Sequence, residues 1–130
     1  MPGYISIILE IPFDSSSRRP KFSPMKLDDA AARLEALGNP TRLKIYRTLV
    51  RAGAEGLSVG RLQAKIDAAA STLSHHLKAL VVVGLVTQTR EGTTLVCHAS
   101  FEVMRELLGY MAEECCAEGS CPPIALPKVA

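Results

Sequence analysis

The sequence predicts a mainly α fold carrying one small β-hairpin, and three observations predict it. Apolar residues recur at helical spacing in blocks between Leu27 and Gly84. The period turns strand-like from Val83 to Cys97, and helical spacing returns after Ser100. The expected order of elements is α-α-α-α-β-β-α.

The first helix places Leu27, Ala31, Leu34 and Leu37 on one face, and Gly38 stops it. Asn39 caps the second, with Pro40 in the first turn, where its missing N–H costs nothing. Leu43, Ile45, Tyr46, Leu49 and Val50 supply the buried stripe, and Gly53 ends the helix. Ser58 caps a short helix carrying Val59, Leu62 and Ile66. After Asp67 and a small-residue turn, Ser71 opens a fourth, with Leu73, Leu77, Leu80 and Val81 inside and Gly84 closing it. The runs Leu85–Arg90 and Thr93–Cys97 are rich in β-formers, and Glu91-Gly92 between them signals a hairpin. Ser100 caps a last helix with Phe101, Met104, Leu107, Leu108 and Met111 at helical spacing, expected to run to about Cys115.

Residues 1–24 contain the polar, turn-rich run Asp14–Pro20 and read as a flexible N-terminal arm. Residues 25–114 form the expected folded domain, and residues 115–130 a cysteine-bearing tail that turns Pro-rich after Cys121. The chain is 48% hydrophobic and 22% charged, enough apolar material for a real core. Its net charge of +2 says little, but the distribution says more. Arg42, Lys44, Arg47, Arg51, Arg61 and Lys65 face one acid, Glu55, between Leu37 and Ile66. From Phe101 onward Glu102, Glu106, Glu113, Glu114 and Glu118 outnumber Arg105 and Lys128. A basic middle beside an acidic end is compatible with a phosphate-facing surface. The spacing of the four cysteines does not suit a disulfide framework, and Cys97 reads as a small buried strand residue. With no secretory pattern and nothing of membrane-spanning length, the expectation is a reduced, cytoplasmic protein without a membrane partner.

The helices Ser58–Ile66 and Ser71–Gly84, joined by a tight turn, have the proportions of a helix-turn-helix, and the hairpin makes it winged. In such a unit the second helix enters the major groove. Its solvent face carries Ser71, Thr72, Ser74, His75 and Lys78, suited to bases and phosphates. His76 lies on the same DNA-reading helix, and Arg90 and Thr93 flank the wing tip.

Two runs carry a resemblance: Leu37-Gly38-Asn39-Pro40-Thr41-Arg42-Leu43-Lys44-Ile45 and Ser71-Thr72-Leu73-Ser74-His75-His76-Leu77-Lys78-Ala79-Leu80. With Gly84-Leu85-Val86 and the Arg90-Glu91-Gly92 wing, they resemble the signature of the ArsR/SmtB repressors over roughly residues 27–114. The resemblance implies a winged helix-turn-helix repressor, not an enzyme, acting as a homodimer through its first and last helices. It also implies a roughly palindromic double-stranded operator, released when a metal or metalloid binds.

Many members sense through a Leu-Cys-Val-Cys-Asp-Leu motif, where this chain reads Leu57-Ser58-Val59-Gly60-Arg61-Leu62 and has no thiol. Others use acidic and His pairs on the last helix, which here has no histidine. Cys115, Cys116 and Cys121 remain, and three thiolates from one short loop suit a soft ion that wants few ligands. Zinc or cadmium would prefer a fourth, from Cys97, His98 or water. Some arsenic-responsive members carry a comparable C-terminal cluster, so the resemblance points to As(III) as inducer, with Sb(III) following. Glu113, Glu114, Glu118 and the negative helix end oppose thiolate formation. A thiol redox or persulfide switch, a repressor selective for organic arsenicals, and a DNA-binding module with an inert tail are the alternatives. An arsenate reductase would need an activated thiolate at the opposite end of a helix.

Overall fold

The computed structural model describes residues 25–122. The expected arm, 1–24, and the Pro-rich end, 123–130, lie outside the described residues. Five α-helices and a three-stranded antiparallel sheet follow in the order α1 (Leu27–Leu37), α2 (Pro40–Ala52), β1 (Leu57–Ser58), α3 (Val59–Ile66), α4 (Ala70–Val82), β2 (Val86–Glu91), β3 (Thr94–Ala99) and α5 (Phe101–Ala112). This is a winged helix-turn-helix, with α3 and α4 as the helix pair and β2–β3 as the wing.

The local signals act as expected at several ends. Asn39 Oδ1 accepts from the N–H groups of Thr41 and Arg42, satisfying two orphan donors of α2. Ser58 Oγ accepts from the Arg61 N–H, and Ser100 Oγ from that of Val103. Elsewhere the structure corrects the expectation. Helix α4 starts at Ala70, not Ser71, and Ala69 stands at its cap position with no side-chain hydrogen bond. Helix α5 stops at Ala112, three residues before Cys115. No base offsets its negative end, and Glu113 and Glu114 follow at once, so extending it would add like charge to the dipole.

A third strand was not expected. Leu57 pairs with Cys97 and Ser58 with Val96, putting β3 in the centre of the sheet, order β1-β3-β2. The hairpin register pairs Glu91 with Thr94, so its two-residue turn is Gly92-Thr93 rather than Glu91-Gly92. Gly92 has φ +67, a conformation such turns demand.

Ile45 and Leu49 of α2, Leu62 of α3, Leu73 and Leu80 of α4, Val86 of β2 and Val103 of α5 form one core around the sheet. Cys97 is fully buried among them, as its strand position suggested. The first helix behaves differently. Ala30 and Ala36 are its buried residues, while Leu27 and Leu34 are 69% and 42% exposed. Leu108 and Met111 of α5 are likewise 42% and 61% exposed. Both helices therefore offer apolar surface that the single chain leaves uncovered. Among the described residues no helix is long and apolar enough to cross a membrane.

Candidate DNA-reading surface and thiol cluster

The turn between α3 and α4 hinges on Asp67, which closes α3 in the left-handed region at φ 59 and donates its N–H to the Gln63 carbonyl. Aspartate is among the few L-residues that tolerate that conformation. Leu73, Leu77 and Leu80 then lock α4 into the core. That packing turns Ser71, Thr72, Ser74, His75 and Lys78 to solvent together. Arg90 and Thr93 are also exposed, Thr93 at the wing tip itself.

His76 is set apart from these. It is half-buried, and its Nδ1 accepts a hydrogen bond from Arg42 Nε at 3.2 Å. Desolvation, then the Arg42 charge and His75, hold its pKa below the ordinary value. Arg42 also donates to the Ala36 carbonyl at the end of α1 (3.4 Å), so one guanidinium bridges α1, α2 and α4. A second arginine does related work: Arg33 Nε of α1 donates to the Val83 carbonyl at the end of α4, 2.9 Å away. Sequence reading missed both ties, because partners 34 and 50 residues apart leave no local signal.

The thiols converge just past α5. Cys115, Cys116 and Cys121 bring their sulfurs within 4.8 Å of one another, with Cys115 and Cys116 Sγ 3.6 Å apart. Successive turns do this, through the Cys115 N–H to the Ala112 carbonyl, Ala117 to Glu114, and Gly119 to Cys116. Cys116 sits at φ 61, a conformation that costs a non-glycine residue energy. Hydrogen bonding with Cys121, then with Cys115, and some burial push its thiol up to about 11, so it is neutral at pH 7. Among the described residues no fourth His, Cys, Asp or Glu joins the cluster. Cys97 is elsewhere, buried in β3, where Gln88 Nε2 donates to its sulfur at 3.4 Å. Burial raises its pKa, only partly countered by Gln88, which makes it an inert thiol.

A family profile described as a helix-turn-helix domain matches residues 37–89. The nodulation protein NolR of Rhizobium meliloti is 34% identical over 93 residues, covering 69% of this chain and 74% of that protein. A solution structure from Mycobacterium bovis superposes with a TM-score of 0.54 at 32% identity, over 68% of this chain and 82% of that one. That structure is a homodimeric winged helix-turn-helix DNA-binding domain, a possible ArsR-family transcriptional regulator. The chain belongs to the ArsR/SmtB family. An ArsR/SmtB protein is a transcriptional regulator and not an enzyme, and the winged fold and exposed face of α4 agree with that. A candidate arsenical resistance operon repressor of Halobacterium salinarum is 44% identical over 59 residues, 45% of each protein.

Proposed function

We propose that this chain is a cytoplasmic, homodimeric repressor that releases its operator when As(III), or Sb(III), takes up the thiols of Cys115, Cys116 and Cys121. The observation that carries the reading is the convergence of three sulfurs, with no fourth ligand among the described residues. A pyramidal three-sulfur site suits an ion whose lone pair fills the fourth direction, whereas zinc completes a tetrahedron. Three neutral thiols condense with one arsenous acid. Three As–S bonds replace three As–O bonds, and each thiol proton leaves with a hydroxyl as water. No charge changes and no electron is transferred, which fits a site that keeps Cys116 protonated. The arsenical-resistance assignment of the Halobacterium salinarum relative supports the choice of ion.

On the DNA side, Ser71, Thr72, Ser74, His75 and Lys78 read the major groove, and Arg90 and Thr93 reach the flanking backbone. His76, tied to Arg42, sets the height of that helix. The first-turn N–H groups of α4 have no side-chain cap and are open to a phosphate. The uncovered apolar residues of α1 and α5 form the dimer face, and the homodimeric relative supports that assembly. Helix α5 then links both ends of the mechanism. It carries the thiols at its end and packs against α1, whose Arg33 holds the Val83 carbonyl of α4. A coupling of about 1–3 kcal/mol would lower operator affinity several-fold to a hundred-fold, and the operator would weaken arsenite binding equally.

The test is a fluorescence-anisotropy titration of arsenite into the DNA-bound protein, run beside Cys115→Ser, Cys116→Ser and Cys121→Ser. Release in the parent, lost in all three variants, supports the reading. A variant that still responds to phenylarsenite points to two-thiol sensing of organic arsenicals. Release only under oxidant or persulfide makes the cluster a redox switch in which Cys115 or Cys116 bridges to Cys121, a second reading favoured by sulfurs that lie within 4.8 Å of one another.

A further inference from the structure

The basic middle of the chain is not used by the residues that read DNA. In the fold all of its bases but Arg42 gather around one feature, an open groove of about 980 Å³ between α2 and α3. Lys44, Arg47 and Arg51 line it from α2, and Arg61 and Lys65 from α3, all five exposed. Glu55 is the one acid in its lining. We propose that this groove is a second phosphate-binding surface, which carries the backbone of duplex DNA flanking the operator half-site. The inference rests on the operator-binding reading above and extends the footprint beyond the recognition helix.

Spacing gives the first argument. Lys44, Arg47 and Arg51 follow one another at three and four residues along α2, and Arg61 and Lys65 at four along α3. Neighbours at those spacings share a helix face, and like charges there repel by a few tenths of a kcal/mol per pair. The chain carries this repulsion in two facing rows with a single acid between them. A polyanion relieves it.

Position gives the second. Helix α3 is the first helix of the helix-turn-helix, the one that crosses the DNA backbone. Its cap Ser58 and opening residues Val59 and Gly60 share a separate cleft with Thr93 at the wing tip, and Leu57 and Arg61, on either side of them in sequence, line the groove. No residue of α1 or α5 lines it, which sets it apart from the proposed dimer face. Its lining also has no aromatic ring, the platform that unstacked single-stranded bases require. Long cations without stacking partners suit duplex phosphates.

The experiment compares the parent with a triple variant, Lys44→Gln/Arg47→Gln/Arg51→Gln. Affinity is measured by anisotropy between about 50 and 200 mM salt, on a duplex of the two half-sites alone and on one with long flanks. On the flanked duplex the variant should lose about three units of the log–log salt slope, one per phosphate contact removed. On the trimmed duplex the two proteins should coincide. A charge-keeping variant, Lys44→Arg/Arg47→Lys/Arg51→Lys, should retain the parental slope, which separates lost charge from lost folding. Equal slopes for parent and triple variant on the flanked duplex overturn the proposal. So does an equal loss on both duplexes. Unchanged DNA slopes with lost binding to polyglutamate would give the groove to an acidic protein and overturn it too. A parent that binds neither duplex sinks the operator-binding reading itself.

Discussion

Arg42 Nε donates to His76 Nδ1 across 3.2 Å, joining α2 to α4, the second helix of the helix-turn-helix. The bond requires a neutral His76 with its Nδ1 lone pair free, so it depends on pH.

The sign follows from the lowered pKa of His76, set by desolvation, then by Arg42 and His75. A base held below its unfolded value of 6.5 contributes stability that is full above that pH. That contribution fades as pH falls through the folded value. Between about pH 7.5 and about pH 5 the parent should therefore lose more thermal stability than His76→Asn, whose Oδ1 stands where Nδ1 does and does not titrate. Equal losses in the two melts would refute the link.

Gly56 and Gly60 should respond to alanine with opposite signs. Gly56 stands at φ +69, and a Cβ there would run into the Cys97 carbonyl oxygen and the His98 ring, where β1 meets β3. Gly56→Ala is expected to cost about 2 kcal/mol or more in urea unfolding, since both backbone and space oppose it. Gly60 lies in the first turn of α3 with nothing within 4 Å of a new Cβ. Gly60→Ala should stabilise by up to about 1 kcal/mol.

The apolar residues left open on α1 and α5 should matter for assembly rather than for folding. Leu34→Glu or Met111→Glu adds a charge at a residue already exposed in the single chain, so circular dichroism should stay native. Sedimentation should show a monomer, and operator affinity should fall with it. A dimer that survives both changes would place the interface elsewhere.

Proton accounting separates the candidate ions. Cys116 is protonated below about 11, and arsenous acid takes neutral thiols with loss of water only. Arsenite affinity should therefore stay flat between about pH 6 and pH 8, while Cd(II), which must displace thiol protons, should bind more tightly as pH rises. Isothermal titration in two buffers of different ionisation heat would read the protons directly. Proton release with arsenite would exclude the three-thiol condensation.

Much of this protein was legible in the sequence because it is locally determined. Asn39, Ser58 and Ser100 cap helices through donors two or three residues away, and Leu62 and Ile66 of α3 and the leucines of α4 declare their face within two turns. Those signals specify the helix-turn-helix, its wing, and the polar face from Ser71 to Lys78. The family signature rests on the same stretch. What remained illegible depends on partners far along the chain. Strand β1 has only two residues and exists because Leu57 and Ser58 meet Cys97 and Val96. Leu27 and Leu34 keep a helical period, yet only packing shows that one chain leaves them uncovered. His76 looks like its neighbour His75 in sequence, and a guanidinium 34 residues away separates their roles. The sequence by itself determined which three thiols are present and that no histidine accompanies them on α5. Tertiary structure decided that they meet, because α5 ends at Ala112 and the turns after it fold Cys121 back onto Cys115 and Cys116.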